Sequence, residues 1–198
     1  MFRTLLTLLL LAGPAVATAQ SPAEDAQRQF ESGQYPQVAA LAGPDATPVV
    51  VYLAAQSEQR LGAAPQAAAL YDRLAALDAG DPWQAIGLAA RQLLDNQLDP
   101  ALASAREAVM RNEMLAETHY QLGLVLARRQ EWAAAAAAFD RAAERQPRLA
   151  YAYYYGGLMY SRVQQTAQMA VRFEQFLRLA PEAPERPEIV SILRTLRR

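Results

Sequence analysis

The chain has 198 residues, 53% of them apolar, and a formal net charge of −1. This composition excludes global disorder and gives no electrostatic reason to expect nucleic acid or a charged membrane as partner. Cysteine is absent and His119 is the single histidine, which excludes disulfides and thiol chemistry and argues against a metal centre or a histidine-based triad, so no cofactor is expected.

The first segment, "MFRTLLTLLLLAGPAVATAQ", has one positive residue (Arg3), an apolar run from Leu5 to Ala12, the breaking pair Gly13-Pro14, and Ala17-Thr18-Ala19 before Gln20. That order is the pattern of a secretory signal peptide with a small-x-small cleavage site, predicting removal of residues 1–19. The apolar run is too short to span a bilayer, so the expected mature chain is soluble and exported, periplasmic or secreted. Without cysteine, no lipid-modified N-terminal cysteine is expected.

Helix starts follow in order. Ser21-Pro22-Ala23-Glu24 carries a capping serine, a proline at the first helical position and a glutamate placed to complete a capping box. Thr47-Pro48 and Asp81-Pro82 repeat the cap-then-proline signal 34 residues apart, and Asp99-Pro100 predicts one further start. Pro147 and Pro181, again 34 apart, each close an amphipathic segment. Side chains keep the same spacing. Residues 116–149 carry His119, Leu122, Gly123, Leu126, Ala135, Phe139, Ala142 and Pro147; residues 150–183 carry Tyr153, Gly156, Gly157, Tyr160, Met169, Phe173, Phe176 and Pro181 at the same offsets. One period earlier stand Leu88, Ala89, Ala101, Ala105 and Ala108, and before them Ala55, Leu61, Gly62, Ala67, Tyr71 and Leu74.

This pattern resembles the tetratricopeptide repeat, with its aromatic-x2-Leu-Gly-x2-Tyr, Ala-x3-Phe and terminal proline over 34 residues. The resemblance covers about residues 21–183. It gives a partial unit over 21–46 and full repeats over 48–81, 82–115, 116–149 and 150–183. It implies an all-α, right-handed solenoid of about ten or eleven helices, because no single hairpin buries its apolar face alone. Ile189, Ile192, Leu193 and Leu196 lie at helical spacing after Pro187, which predicts a capping helix within 185–198. Tyr153, Tyr160 and His119 are expected in the seams between helices, with Gly156 and Gly157 permitting close approach.

In this family, positions 2, 5, 9, 12 and 13 of each first helix face a concave groove. Here position 5 carries Tyr52, Tyr120 and Tyr154 (Ile86 in the other repeat), and position 13 carries Arg60, Arg128 and Arg162 (Leu94 in the other). Tyr151 occupies position 2, and Trp83, Leu93 and Leu94 make the second repeat apolar. Tyrosine offers a large amphipathic contact and arginine a two-pronged grip on a carboxylate. The resemblance therefore implies a non-catalytic adaptor for a protein or peptide, acidic or carboxylate-terminated, in the envelope of a Gram-negative bacterium. Tyrosines and arginines that merely solvate the inner surface, with internal acids as partners, fit the same pattern. So does a self-associating structural component of an envelope secretion or polysaccharide-export complex. Residues 20–140 hold 8 arginines and 15 acids, residues 141–198 hold 10 and 5, a polarity suited to head-to-tail contact. Arg73 and Arg141, on second helices, are expected to face outward.

Overall fold

A computed structural model describes residues 21–196. The expected signal peptide, Gln20, and the terminal Arg197 and Arg198 lie outside the described residues. A short hairpin, α1 (Pro22–Glu31) and α2 (Tyr35–Ala40), precedes four full hairpins: α3 (Pro48–Arg60) with α4 (Ala64–Ala75), α5 (Pro82–Leu94) with α6 (Leu98–Arg111), α7 (Ala116–Arg128) with α8 (Trp132–Arg145), and α9 (Ala150–Arg162) with α10 (Thr166–Leu179). Helix α11 (Arg186–Leu196) follows and packs on α10 with Ile189 and Leu193 buried, while Leu196 stays exposed. The first helices of the four hairpins begin at residues 48, 82, 116 and 150, each 34 after the last. No described helix is long and apolar enough to cross a membrane.

Local chemistry sets these boundaries. The Ser21 hydroxyl accepts from the Glu24 N–H and the Glu24 carboxylate accepts from the Ser21 N–H, each at 3.2 Å, forming the capping box that starts α1. Asp81 starts α5 by accepting from the Trp83 N–H at 2.8 Å. Asp99-Pro100 does not begin a helix; both residues sit in the first turn of α6, which starts at Leu98. Proline is tolerated there because the first-turn N–H groups have no intrahelical acceptor.

The turn inside each full hairpin also repeats. Gly62, Asn96, Gln130 and Gln164, spaced 34 apart, all take positive φ between 60° and 77°. In each case the next residue's N–H reaches back to a carbonyl five residues earlier, as from Ala63 to Glu58 and from Gln165 to Tyr160, both 2.9 Å. Glycine meets that left-handed requirement only in the first repeat.

Within hairpins the helices approach over small residues. Ala55, Ala67, Ala89, Ala101, Ala105, Ala135 and Ala142 are all fully buried. Gly123 lies under the Phe139 ring and Gly157 under the Phe173 ring: a Cβ there would stand 2.7 Å and 2.5 Å from ring carbons. Gly156 differs. A Cβ at that position meets its nearest neighbour, Phe139 Cβ, at an ordinary 3.6 Å, so close approach explains only one glycine of the pair.

The two ends of the array meet. The Glu31 carboxylate accepts from the Ala150 N–H at the start of α9, 119 residues away. Phe30 packs edge-on against Tyr151 with ring centroids 5.2 Å apart. Gly33, at φ 76°, leaves room for Pro184, whose Cγ would stand 2.6 Å from a Cβ at that position. The Tyr52 hydroxyl donates to Gln121 Oε1 at 2.7 Å, joining the inner sides of the first and third full repeats. The solenoid thus curls until its inner side is filled by its own side chains.

Candidate peptide-binding face

The inner side of the array is built from the first helices, α3, α5, α7 and α9, whose positions 2, 5, 6 and 9 point together. Tyr52, Ile86, Tyr120 and Tyr151 from this set are all buried, at 4% exposure or less. Trp83 is half-buried and packs edge-on to Tyr52 at 5.8 Å. Tyr154 is half-buried against Tyr151, Tyr155 and Phe176, and its phenol pKa is pushed up to about 12, chiefly by burial. What remains between these side chains is a cavity of about 10 Å³ bordered by Gln27, Gln56, Glu117 and Tyr120, far too small for a peptide. Burial raises the Glu117 pKa there.

An open concave groove is therefore corrected to a closed one. The tyrosines at positions 2 and 5 do face inward, but Tyr52, Tyr120 and Tyr151 are packed against the chain itself. The physical reason is their company: Phe30, Leu53, Ile86 and Phe139 are buried beside them. An open face of this composition would leave a large apolar patch in water. The expected seam residues all pack against the core or lie buried, but to different depths. Tyr153 and Tyr160 are only half-buried, their hydroxyls donating to the Pro147 carbonyl at 3.3 Å and to Asp140 at 2.6 Å. His119 does sit in the seam, buried, with Nε2 2.9 Å from the Glu113 carbonyl oxygen.

The arginines divide. Arg60 is at the centre of a cluster at the meeting of the two ends. It donates to Glu185 Oε1 at 2.6 Å, to the Tyr155 hydroxyl at 3.1 Å and to the Tyr35 hydroxyl at 3.5 Å. Its guanidinium carbon also lies 5.0–6.0 Å from the centroids of Tyr151, Tyr35 and Phe30. Burial disfavours the cation, but Tyr155 and the Glu185 carboxylate outweigh it and the Arg60 pKa is raised. Tyr151 donates to Glu185 Oε2 at 2.9 Å, so both carboxylate oxygens are held.

Arg128 and Arg162 are exposed. Arg128 donates to Asn96 Oδ1 at 3.2 Å, and Arg162 lies over the Trp132 ring at 5.5 Å. Neither takes part in an ion pair among the described residues. Arg73 is not the free outward residue expected. Its guanidinium donates to the carbonyls of Ala42, Gly43 and Pro44 and pins the loop before α3. Arg141 is exposed as expected.

Sequence reasoning missed Tyr35, Tyr155 and Glu185. Tyr155 occupies position 6 of its repeat, outside the family's groove set, yet stacks on Phe139 and touches Tyr120, Tyr151 and Tyr154. Glu185 lies beyond the last repeat, where no repeat position points to it. Among the described residues no group of three or more His, Asp or Glu side chains is placed to hold a metal ion.

Stacked two-helix hairpins at a strict 34-residue interval, closed by a final helix, define a tetratricopeptide-type α-solenoid. The solved structures it matches carry the same fold. They include TTC0263, a thermophilic tetratricopeptide protein of Thermus thermophilus (TM-score 0.62, 19% identity, covering 86% of this chain and 98% of that one). MamA matches at TM-score 0.51 with 18% identity over 81% of this chain and 95% of that one. YrrB, described as a tetratricopeptide protein with an unusual peptide-binding site, matches at 0.50 with 18% identity over 80% and 84%. No protein-family model matches the sequence, and no curated protein matches it significantly.

Proposed function

We propose that this chain is a non-catalytic scaffold that binds an acidic segment of another protein, exported and working in the bacterial envelope. The observation that carries the reading is the pair Arg128 and Arg162, exposed in 34-residue register and without a carboxylate partner among the described residues. Two cations held by a rigid array at a fixed spacing suit recognition of carboxylates on a partner segment. The structural likeness to YrrB supports a peptide-binding role, and the pattern of residues 1–19 supports export. With the inner side closed, the proposed binding falls on the arginine-bearing rim rather than the expected groove; Arg60, Tyr154 and Trp83 are also partly accessible.

Affinity capture from an envelope extract tests this. The double variant Arg128→Glu and Arg162→Glu should lose the partner at least about tenfold, since each charged hydrogen bond contributes roughly 1.5–3 kcal/mol. Arg106→Glu with Arg141→Glu, two exposed positions on second helices, is the control for charge alone. Equal loss from both pairs would reduce the rim to non-specific electrostatics. Full retention by the first pair would remove it as the binding site. The chain itself, recovered after export, should begin at Gln20, as intact mass will show.

A further inference from the structure

The cluster around Arg60 has the anatomy of an occupied receptor. Its walls come from three places: Gly33 and Tyr35 in the N-terminal hairpin, Arg60 at the end of α3, and Tyr151 with Tyr155 on α9. Its occupant comes from a fourth, the turn between α10 and α11. Pro184 rests where Gly33 lacks a Cβ, at a distance that any side chain there would close. Glu185 then places one carboxylate oxygen 2.6 Å from Arg60 and the other 2.9 Å from the Tyr151 hydroxyl. Three aromatic rings surround the guanidinium. Proline and glutamate are thus read separately, one by shape and one by charge.

The occupant belongs to no repeat. The segment 180–188 reads Ala-Pro-Glu-Ala-Pro-Glu-Arg-Pro-Glu, with the Pro-Glu pair recurring every three residues at 181, 184 and 187. Only the middle pair enters the cluster. The Arg60 side chain keeps 28% of its surface exposed, so the site opens to solvent beside its occupant.

The geometry points to a binding site for Pro-Glu segments, formed by Gly33, Tyr35, Arg60, Tyr151 and Tyr155 and filled intramolecularly by Pro184-Glu185. A partner segment of the same chemistry enters by replacing one carboxylate with another, and the chain's own pair sets the affinity that such a partner must exceed. This rests on the reading of the chain as a peptide-binding scaffold and specifies the ligand class.

The probe is a fluorescein-labelled peptide with the sequence of residues 180–188, titrated into the full chain by fluorescence anisotropy, with helicity followed by circular dichroism. Glu185→Ala empties the carboxylate position; Glu185→Gln removes its charge while keeping its shape. Both should bind the peptide at least about tenfold more tightly than the wild type, because the internal competitor is weakened. Adding Arg60→Ala should abolish that gain, and a peptide with its glutamates changed to glutamine should not bind. Equal affinity for wild type and variants would overturn the proposal, as would no binding to either folded variant, or binding that survives Arg60→Ala. Unfolding of both variants would overturn it too, since a replaceable occupant is dispensable to the fold. The reversal of Arg128 and Arg162 reads partner capture at other residues, so a failed titration leaves the scaffold reading standing on its own test.

Discussion

Adjacent glycines on one helix should respond to alanine with opposite sign. Gly156 and Gly157 both lie in α9 and both are buried. An alanine in a helix interior is favoured over glycine by roughly 1 kcal/mol, so each substitution begins with the same gain. At Gly156 the new methyl meets nothing nearer than 3.6 Å, and the gain should be kept. At Gly157 it would stand 2.5 Å from two carbons of the Phe173 ring, which is fully buried and cannot swing aside. Restoring normal contact requires α9 and α10 to separate by ~1 Å, and overpacking of this kind costs roughly 1–3 kcal/mol. Gly156→Ala should therefore raise stability by about 1 kcal/mol and Gly157→Ala lower it by up to about 2 kcal/mol. For a chain of this size that is a rise of about 2–4 °C in Tm against a fall of a few degrees. Thermal melts followed by circular dichroism, repeated in urea, will measure both. A Gly157→Ala protein that melts at or above its Gly156→Ala neighbour would refute the close-approach reasoning, and with it the parallel account of Gly123 under Phe139.

Two further outcomes follow from the hairpin turns and the junction of the ends. Gln164 holds a left-handed φ of 60° that glycine adopts without cost, so Gln164→Gly should stabilise by about 0.5–1 kcal/mol in urea unfolding, and a loss would show that the turn needs the glutamine side chain. Burial raises the Glu31 pKa to about 6, against lowering by its hydrogen bonds from Gln27 and the Ala150 N–H. A carboxyl whose folded pKa is raised contributes stability below its unfolded value, near 4.5, and loses it as pH climbs through 6, by about 2 kcal/mol in all. The wild type should therefore lose ground to Glu31→Gln between pH 4.5 and 7, and parallel pH profiles for the two proteins would show that Glu31 ionises freely.

The starts of the first helices and their close-packed seams were legible because punctuation and packing share one period. Pro48 and Pro82 begin α3 and α5, and the glycine and ring that pair as Gly123 with Phe139 recur as Gly157 with Phe173 one repeat later. The closure of the array was not legible, because it depends on contacts across more than a hundred residues, such as Glu31 to Ala150 and Arg60 to Glu185, which no repeat register encodes. A partial signal was present. Positions 2, 5 and 9 of the first helices hold Val49, Tyr52, Trp83, Ile86, Ala90, Tyr120, Leu124, Tyr151, Tyr154 and Leu158, with Gln56 and Glu117 as the polar members. A face so apolar behaves as core, whatever role its positions have elsewhere. Tyr155 escaped for the complementary reason: its position carries Leu53, Gly87 and Gln121 in the other repeats, so no recurrence marked it.

That composition also bears on the proposed binding site. Opening the inner side would return Phe30, Tyr52, Tyr120 and Tyr151 to water. At roughly 1.5–3 kcal/mol for each large side chain, the loss is on the order of 6–12 kcal/mol. A typical domain is stable by only about 5–15 kcal/mol, so a ligand demanding that opening would have to supply nearly the stability of the fold itself. Exchange at Arg60 asks for much less. One carboxylate leaves the guanidinium and another arrives, the aromatic walls stay in place, and the cost is the release of one turn of chain. Arg128 and Arg162 ask for less again, since they are already exposed. On these energetics the proposed recognition falls at the rim, and the buried tyrosines form the packed core behind it.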